Sequence, residues 1–121
     1  MASKSYSTIT SDLTKALGTL RKEIPETMQG FSALHNGSMK AGVLSELDKE
    51  LLALAIGVSC RCDGCIGFHT EALVKLGASR SEVEETLGMA IYMGGGPALM
   101  YAADAIGAFD QFQQANAAPI P

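Results

Sequence analysis

Three cysteines of this 121-residue chain fall within six positions, and one of its two histidines follows the last of them by four: Ser59-Cys60-Arg61-Cys62-Asp63-Gly64-Cys65-Ile66-Gly67-Phe68-His69. Cys62 and Cys65 are three residues apart where a helix opens, so they share a face and their sulfurs come within reach of a disulfide. The unpaired N–H groups of a helix start carry about half a positive charge and favour thiolate over thiol. His69 lies one turn beyond Cys65 on the same face, where an imidazole can exchange a proton with sulfur. The stretch therefore supplies a nucleophile, a resolving thiol and a proton carrier. Gly64, between the cysteines, leaves room for a partner to approach closely.

Glu50 adds a carboxylate. It stands three residues after Leu47 and four before Leu54, on the border of an apolar helix stripe. A carboxylate there must find a partner or hold a proton, and either suits it to proton exchange. A short connection after Val58 brings its helix against the one that carries the cysteines, which allows a relay Glu50–His69–cysteine. Cys62, nearer the helix end, is expected to be the more exposed sulfur and to exchange with partners, with Cys65 activated by the relay.

Six helices are expected to position these groups. The first runs from Ser11 or Asp12 to Glu23, with Leu13, Leu17 and Leu20 at i, i+4, i+7. Pro25 suits the first turn of a second, bearing Met28, Phe31, Leu34 and His35, which Asn36-Gly37 interrupts or ends. Ser45 caps a third, with Asp48 as its return partner and Leu47, Leu51, Leu54, Ala55 and Val58 on its apolar face. The fourth starts at Cys62 or Asp63 and stops at Gly77. Ser79 and Glu82 form a capping box for the fifth, which carries Val83, Leu87, Ala90 and Ile91. Gly94-Gly95-Gly96 breaks the chain and Pro97 restarts it in a sixth that continues to about Gln114. The tail Ala117–Pro121 cannot be helical throughout. Strand alternation is absent, so the fold class is all-α, one domain over residues 1–121.

The composition narrows the functions. Nine basic against thirteen acidic residues leave a net charge of −4, and no Lys or Arg follows Arg80. A nucleic-acid interface and an anionic membrane surface both need a cationic face, so neither partner is expected. No apolar run reaches the ~18–20 residues that cross a bilayer. The N-terminal stretch MASKSYSTITSD has no apolar core of a secretory signal, and the cytoplasm is the expected compartment. Only 18% of residues are charged, which leaves little polar surface for a small monomer and favours a homo-oligomer.

The spacing Glu50, eleven residues, Cys62-x-x-Cys65-x-x-x-His69 resembles the active-site signature of the alkylhydroperoxidase AhpD-like family, within the carboxymuconolactone decarboxylase-like superfamily. Met93-Gly94-Gly95-Gly96-Pro97 is similar to that family as well, and the likeness is strongest over residues 45–112. It implies an AhpD-like helical domain assembled as a homo-trimer or homo-hexamer, with thiol-dependent alkylhydroperoxidase or peroxiredoxin-type activity. The implied catalytic set is Cys62 and Cys65 as a dithiol/disulfide couple with Glu50 and His69 as the relay. No bound cofactor or metal is implied. The substrate would be a hydroperoxide, the reductant an external dithiol of lipoyl or thioredoxin type, and a peroxiredoxin or dithiol protein the partner. Some members carry a second histidine where this chain has Gly64.

Three other readings compete. Cys60, Cys62, Cys65 and His69 could offer zinc three sulfurs and a nitrogen, but one short helix start would have to provide all four. A lyase of the decarboxylase type has no use for a Cys-x-x-Cys pair. A non-enzymatic redox-sensing oligomer would keep the cysteines and dispense with the relay. Cys60 is expected to pack at the end of its helix, His35 to be a surface or packing residue, and Tyr92, Met93, Met100 and Tyr101 to lie in the core or a subunit interface. Glu82, Glu84 and Glu85 form a solvated helix start.

Overall fold

A computed structural model describes residues 4–117. Six helices follow one another: α1 (Tyr6–Glu23), α2 (Pro25–Met39), α3 (Glu46–Ser59), α4 (Asp63–Lys75), α5 (Arg80–Gly94) and α6 (Gly96–Ala117). Among the described residues there is no strand, so the class is all-α.

Local chemistry sets most boundaries. Ser45 accepts a hydrogen bond from the Asp48 amide while its own N–H donates to the Asp48 carboxylate, and Ser79 and Glu82 repeat the arrangement. Gly77 ends α4 with φ of 80°, and Gly95 separates α5 from α6 with φ of 73°; both conformations favour glycine.

Three boundaries differ from the sequence expectation. α1 begins five residues early, at Tyr6, because Ser5 caps it and Tyr6 and Thr10 are buried against α4. Its first turns are rich in Ser and Thr and lack an apolar stripe. α2 runs through Asn36-Gly37 to Met39, since an exposed helix tolerates glycine at modest cost. α6 continues to Ala117, and the remainder of the expected irregular tail lies outside the described residues.

The core sits among α3, α4, α5 and α6. Leu54, Val58, Ile66, Leu73, Val83 and Phe109 are buried in it, and Ala98, Ala102, Ala105 and Ala108 let α6 approach closely. α1 packs on α4 and α6, whereas α2 buries no residue within the chain. The expected apolar stripes of α1 and α2 are only partly used: Leu13, Leu20, Phe31 and Leu34 are exposed. So are Tyr92, Met93 and Met100, which are not core residues of this chain, while Tyr101 is half-buried against the core.

Candidate active site

The site is assembled where α3 hands over to α4. α3 ends in a Schellman turn: the Cys62 amide donates to the Gly57 carbonyl at 3.0 Å and the Arg61 amide to the Val58 carbonyl at 3.1 Å. Arg61 takes the left-handed conformation, φ 56°, that such turns usually give to glycine. The chain then needs no linker, because Cys62 closes the turn and is also the N-cap of α4. Its sulfur accepts a hydrogen bond from the Cys65 amide at 3.2 Å.

Cys62 and Cys65 thus occupy the N-cap and third positions of the helix. They are joined as a disulfide, with Cα atoms 5.2 Å apart. Both are half-buried, so exposure does not single out Cys62 as expected. A Cys62 thiolate in this place would have that amide and the positive end of α4 beside it, both of which favour an anion.

Cys65 owes its place to Gly57. A Cβ there would lie 2.9 Å from the Cys65 Cβ, so the two helices touch only because α3 has no side chain at that point. That contact also sets the depth of the next turn. Glu50 of α3 is 5% exposed and points at His69 of α4, with Oε2 3.1 Å from Nδ1. With Nδ1 donating to the carboxylate, Nε2 is left to take or return a proton. The structure therefore brings together the two groups that the sequence left on separate helices, nineteen residues apart.

α1 closes another side of α4. A Cβ at Gly67 would meet Thr10 Cγ2 at 2.7 Å and the Tyr6 ring at 3.3 Å, and one at Gly64 would meet Leu13 Cδ1 at 2.7 Å. The space at Gly64, expected to admit a partner, is occupied by the chain's own first helix. The Tyr6 hydroxyl is buried without a hydrogen-bond partner, and burial raises its pKa to about 12, opposed by the Lys4 charge.

Cys60 departs from expectation. It is exposed at the end of α3 and carries a free thiol, because the turn points it away from the core. His35 is on the surface, beside the Asn36 side chain. The three glutamates of α5 are exposed, with Glu82 in the capping box and Glu84 paired to Arg80. Among the described residues, no three His, Cys, Asp or Glu side chains gather where they could hold a metal ion.

Sequence reasoning passed over Lys4. Its ammonium lies 3.2 Å from Asp63 Oδ1, at the first residue of α4, and 2.8 Å from Asp104 Oδ2 of α6. Nothing local signals a contact spanning 59 and 100 residues.

Comparison with known proteins adds the following. The model of the carboxymuconolactone decarboxylase family matches residues 25–108. An uncharacterised protein of Cupriavidus necator is 35% identical over 100 residues, 83% of this chain and 88% of that protein. A solved carboxymuconolactone decarboxylase family protein of Legionella pneumophila, in its apo form, is 56% identical with a TM-score of 0.88, covering 89% of this chain and 96% of that one. A second, from Thermotoga maritima, is named a carboxymuconolactone decarboxylase family protein "possibly involved in antioxidative response". It is 25% identical with a TM-score of 0.79, over 88% of this chain and 91% of its own.

Proposed function

The chain belongs to the carboxymuconolactone decarboxylase family, and from that premise we propose that it is a thiol-dependent antioxidant oxidoreductase of the alkylhydroperoxidase type. The observation that carries the proposal is the Glu50–His69 pair, 3.1 Å apart across α3 and α4, with His69 on the helix that opens with the Cys62–Cys65 couple. Decarboxylation has no use for that couple.

The cycle starts from the dithiol. His69, held by Glu50, accepts a thiol proton; the thiolate attacks the outer oxygen of a hydroperoxide, and the O–O bond breaks. The proton goes to the departing alkoxide, which leaves as the alcohol, and the attacking sulfur becomes a sulfenic acid. The second thiol then displaces its hydroxyl, which leaves as water, and the Cys62–Cys65 disulfide forms. In sum, dithiol and hydroperoxide give disulfide, alcohol and water. An external dithiol of lipoyl or thioredoxin type returns two electrons and two protons by thiol–disulfide exchange. The disulfide of a peroxiredoxin is the other oxidant that fits the same exchange. Cys65, the cysteine nearer His69 in sequence, is the relay-activated thiol, and Cys62 exchanges with partners.

Self-assembly belongs to the proposal. The exposed Phe31, Leu34, Tyr92 and Met93 would be covered in a homo-trimer or homo-hexamer. The cytoplasm, where dithiol reductants are kept reduced, is the compartment that suits this cycle. Among the described residues no helix is long and apolar enough to cross a membrane.

Turnover of an organic hydroperoxide with a dithiol reductant tests the relay. Glu50→Gln and His69→Gln should each slow it by ~10²–10⁴-fold, the usual worth of general acid–base catalysis. A Glu50→Gln rate equal to native removes the relay and leaves a bare dithiol.

A further inference from the structure

A conflict is built into the start of α4. Asp63 is its first residue, where a carboxylate suits the positive helix end, yet it adjoins Cys62, whose thiolate is disfavoured by a neighbouring negative charge. We infer that Lys4 is a positioning residue for the redox couple: it holds the Asp63 carboxylate in an ion pair and so keeps the Cys62–Cys65 thiols reactive. The assignment rests on the dithiol cycle proposed above and extends it to a residue 59 positions away from Asp63.

Lys4 is placed by more than its own flexible side chain. Its carbonyl accepts a hydrogen bond from Gln111 Nε2 at 2.8 Å, and the Tyr6 amide donates to Gln111 Oε1 at 3.0 Å. One amide side chain of α6 thus clasps the backbone on both sides of Ser5. Tyr6 is buried against Gly67 and anchors the segment to α4 itself. From this anchor the ammonium reaches Asp104 at 2.8 Å and Asp63 at 3.2 Å, and lies 5.0 Å from the centre of the Tyr101 ring. The Asp104 contact, opposed by partial burial and reinforced by Asp63, holds Lys4 protonated above the ordinary lysine range.

The charges around the couple can be set out by element. The N-terminal segment supplies Lys4, the turn supplies the exposed Arg61, α4 supplies Asp63 and His69, α3 supplies Glu50 and α6 supplies Asp104. Glu50 and His69 face each other, so Asp63, which directly follows Cys62 in the chain, is the acidic group left beside the couple, and Lys4 is the cation that faces it. The Lys4 and Asp63 side chains are more than a third exposed, so solvent moderates the effect. An exposed pair of this kind adds little to stability, and its consequence is to be sought in the sulfur chemistry.

The test uses the full chain in a Cys60→Ser background, which removes the free thiol. Two readouts serve: the rate of first alkylation of the reduced protein by iodoacetamide as a function of pH, and the equilibrium in which disulfide and two glutathiones give dithiol and glutathione disulfide. Lys4→Gln should slow alkylation at pH 7 by about three- to tenfold, move the profile to higher pH, and shift the equilibrium toward the disulfide at pH values where the native thiol is ionised. Lys4→Arg should behave as native. The double variant Lys4→Gln/Asp63→Asn should recover the native profile, which a merely structural role for Lys4 would not allow. Asp63→Asn alone should alkylate at least as fast as native, and a slower rate overturns the inference even if Lys4→Gln fails to fold. Native alkylation in Lys4→Gln, or no recovery in the double variant, also overturns it. A native protein that shows no glutathione equilibrium at all refutes the dithiol cycle instead.

Discussion

The turn from α3 to α4 and the turn from α4 to α5 are closed by the same two hydrogen bonds but use different residues. In the second, the Ala78 amide donates to the Leu73 carbonyl at 3.0 Å and the Gly77 amide to the Val74 carbonyl at 3.1 Å, matching the Cys62–Gly57 and Arg61–Val58 bonds of the first. The left-handed position is Gly77 in one and Arg61 in the other. The helix that follows is capped by the Ser79 hydroxyl, with Glu82 returning the contact, or by the Cys62 sulfur, with Cys65 at the return position. A Cys-x-x-Cys pair thus has the spacing of a capping box, with sulfur in place of both oxygen partners. Where a junction has only to end one helix and start the next, its residues are those that do this best. Where it must present two sulfurs, the hydroxyl cap, the carboxylate and the glycine are all given up.

The largest effect that would test this contrast comes from making the first junction resemble the second. Cys62→Ser should abolish dithiol-dependent hydroperoxide turnover, yet leave the reduced protein as stable as native or better by up to ~1 kcal/mol, since a hydroxyl is the stronger cap. Urea unfolding under reducing conditions, beside the turnover assay, checks both halves. Gly57→Ala should cost about 1–3 kcal/mol, because its Cβ would press on Cys65 at 2.9 Å; the matching position of the second junction carries the bulky Leu73 without conflict.

Smaller effects sharpen the comparison. Gly77→Ala should lower stability by about 1 kcal/mol, whereas Arg61→Gly should raise it by about 0.5 kcal/mol, opposite signs for opposite swaps at one backbone conformation. Urea midpoints of the pair measure it. A pH-dependent test concerns the helix that covers the first junction. Tyr6 stays neutral in the fold up to about pH 12, against an ordinary 10.0, because burial penalises its anion. The unfolded chain loses that proton first, so stability should decline as pH rises from about 10 to about 12. Tyr6→Phe should flatten this decline while changing neutral-pH stability by less than ~1 kcal/mol, since the hydroxyl has no partner. Thermal unfolding across that pH range is the measurement.

Much of the frame was legible because its signals are local. Ser45 with Asp48, Ser79 with Glu82, Pro25 and Gly77 each act within a few residues, and each lies where the sequence places it. The start of α1 was hidden because Ser5 caps a turn that apolar periodicity does not mark, and its burial depends on Gly67. The exposure of Cys60 and the left-handed Arg61 follow from how α3 meets α4, which neither residue reveals by type.

By itself the sequence determined the spacings: two thiols three apart at a helix start, an imidazole one turn on, and a carboxylate on the edge of an apolar stripe. Helical hydrogen bonds repeat every few residues, so such relations survive in any packing. Only the tertiary structure decided that Glu50 meets His69, that Leu13 covers Gly64 and that Lys4 reaches Asp63. These contacts join separate segments, and they exist because small residues at Gly57, Gly64 and Gly67 let three helices approach closely enough for their side chains to touch.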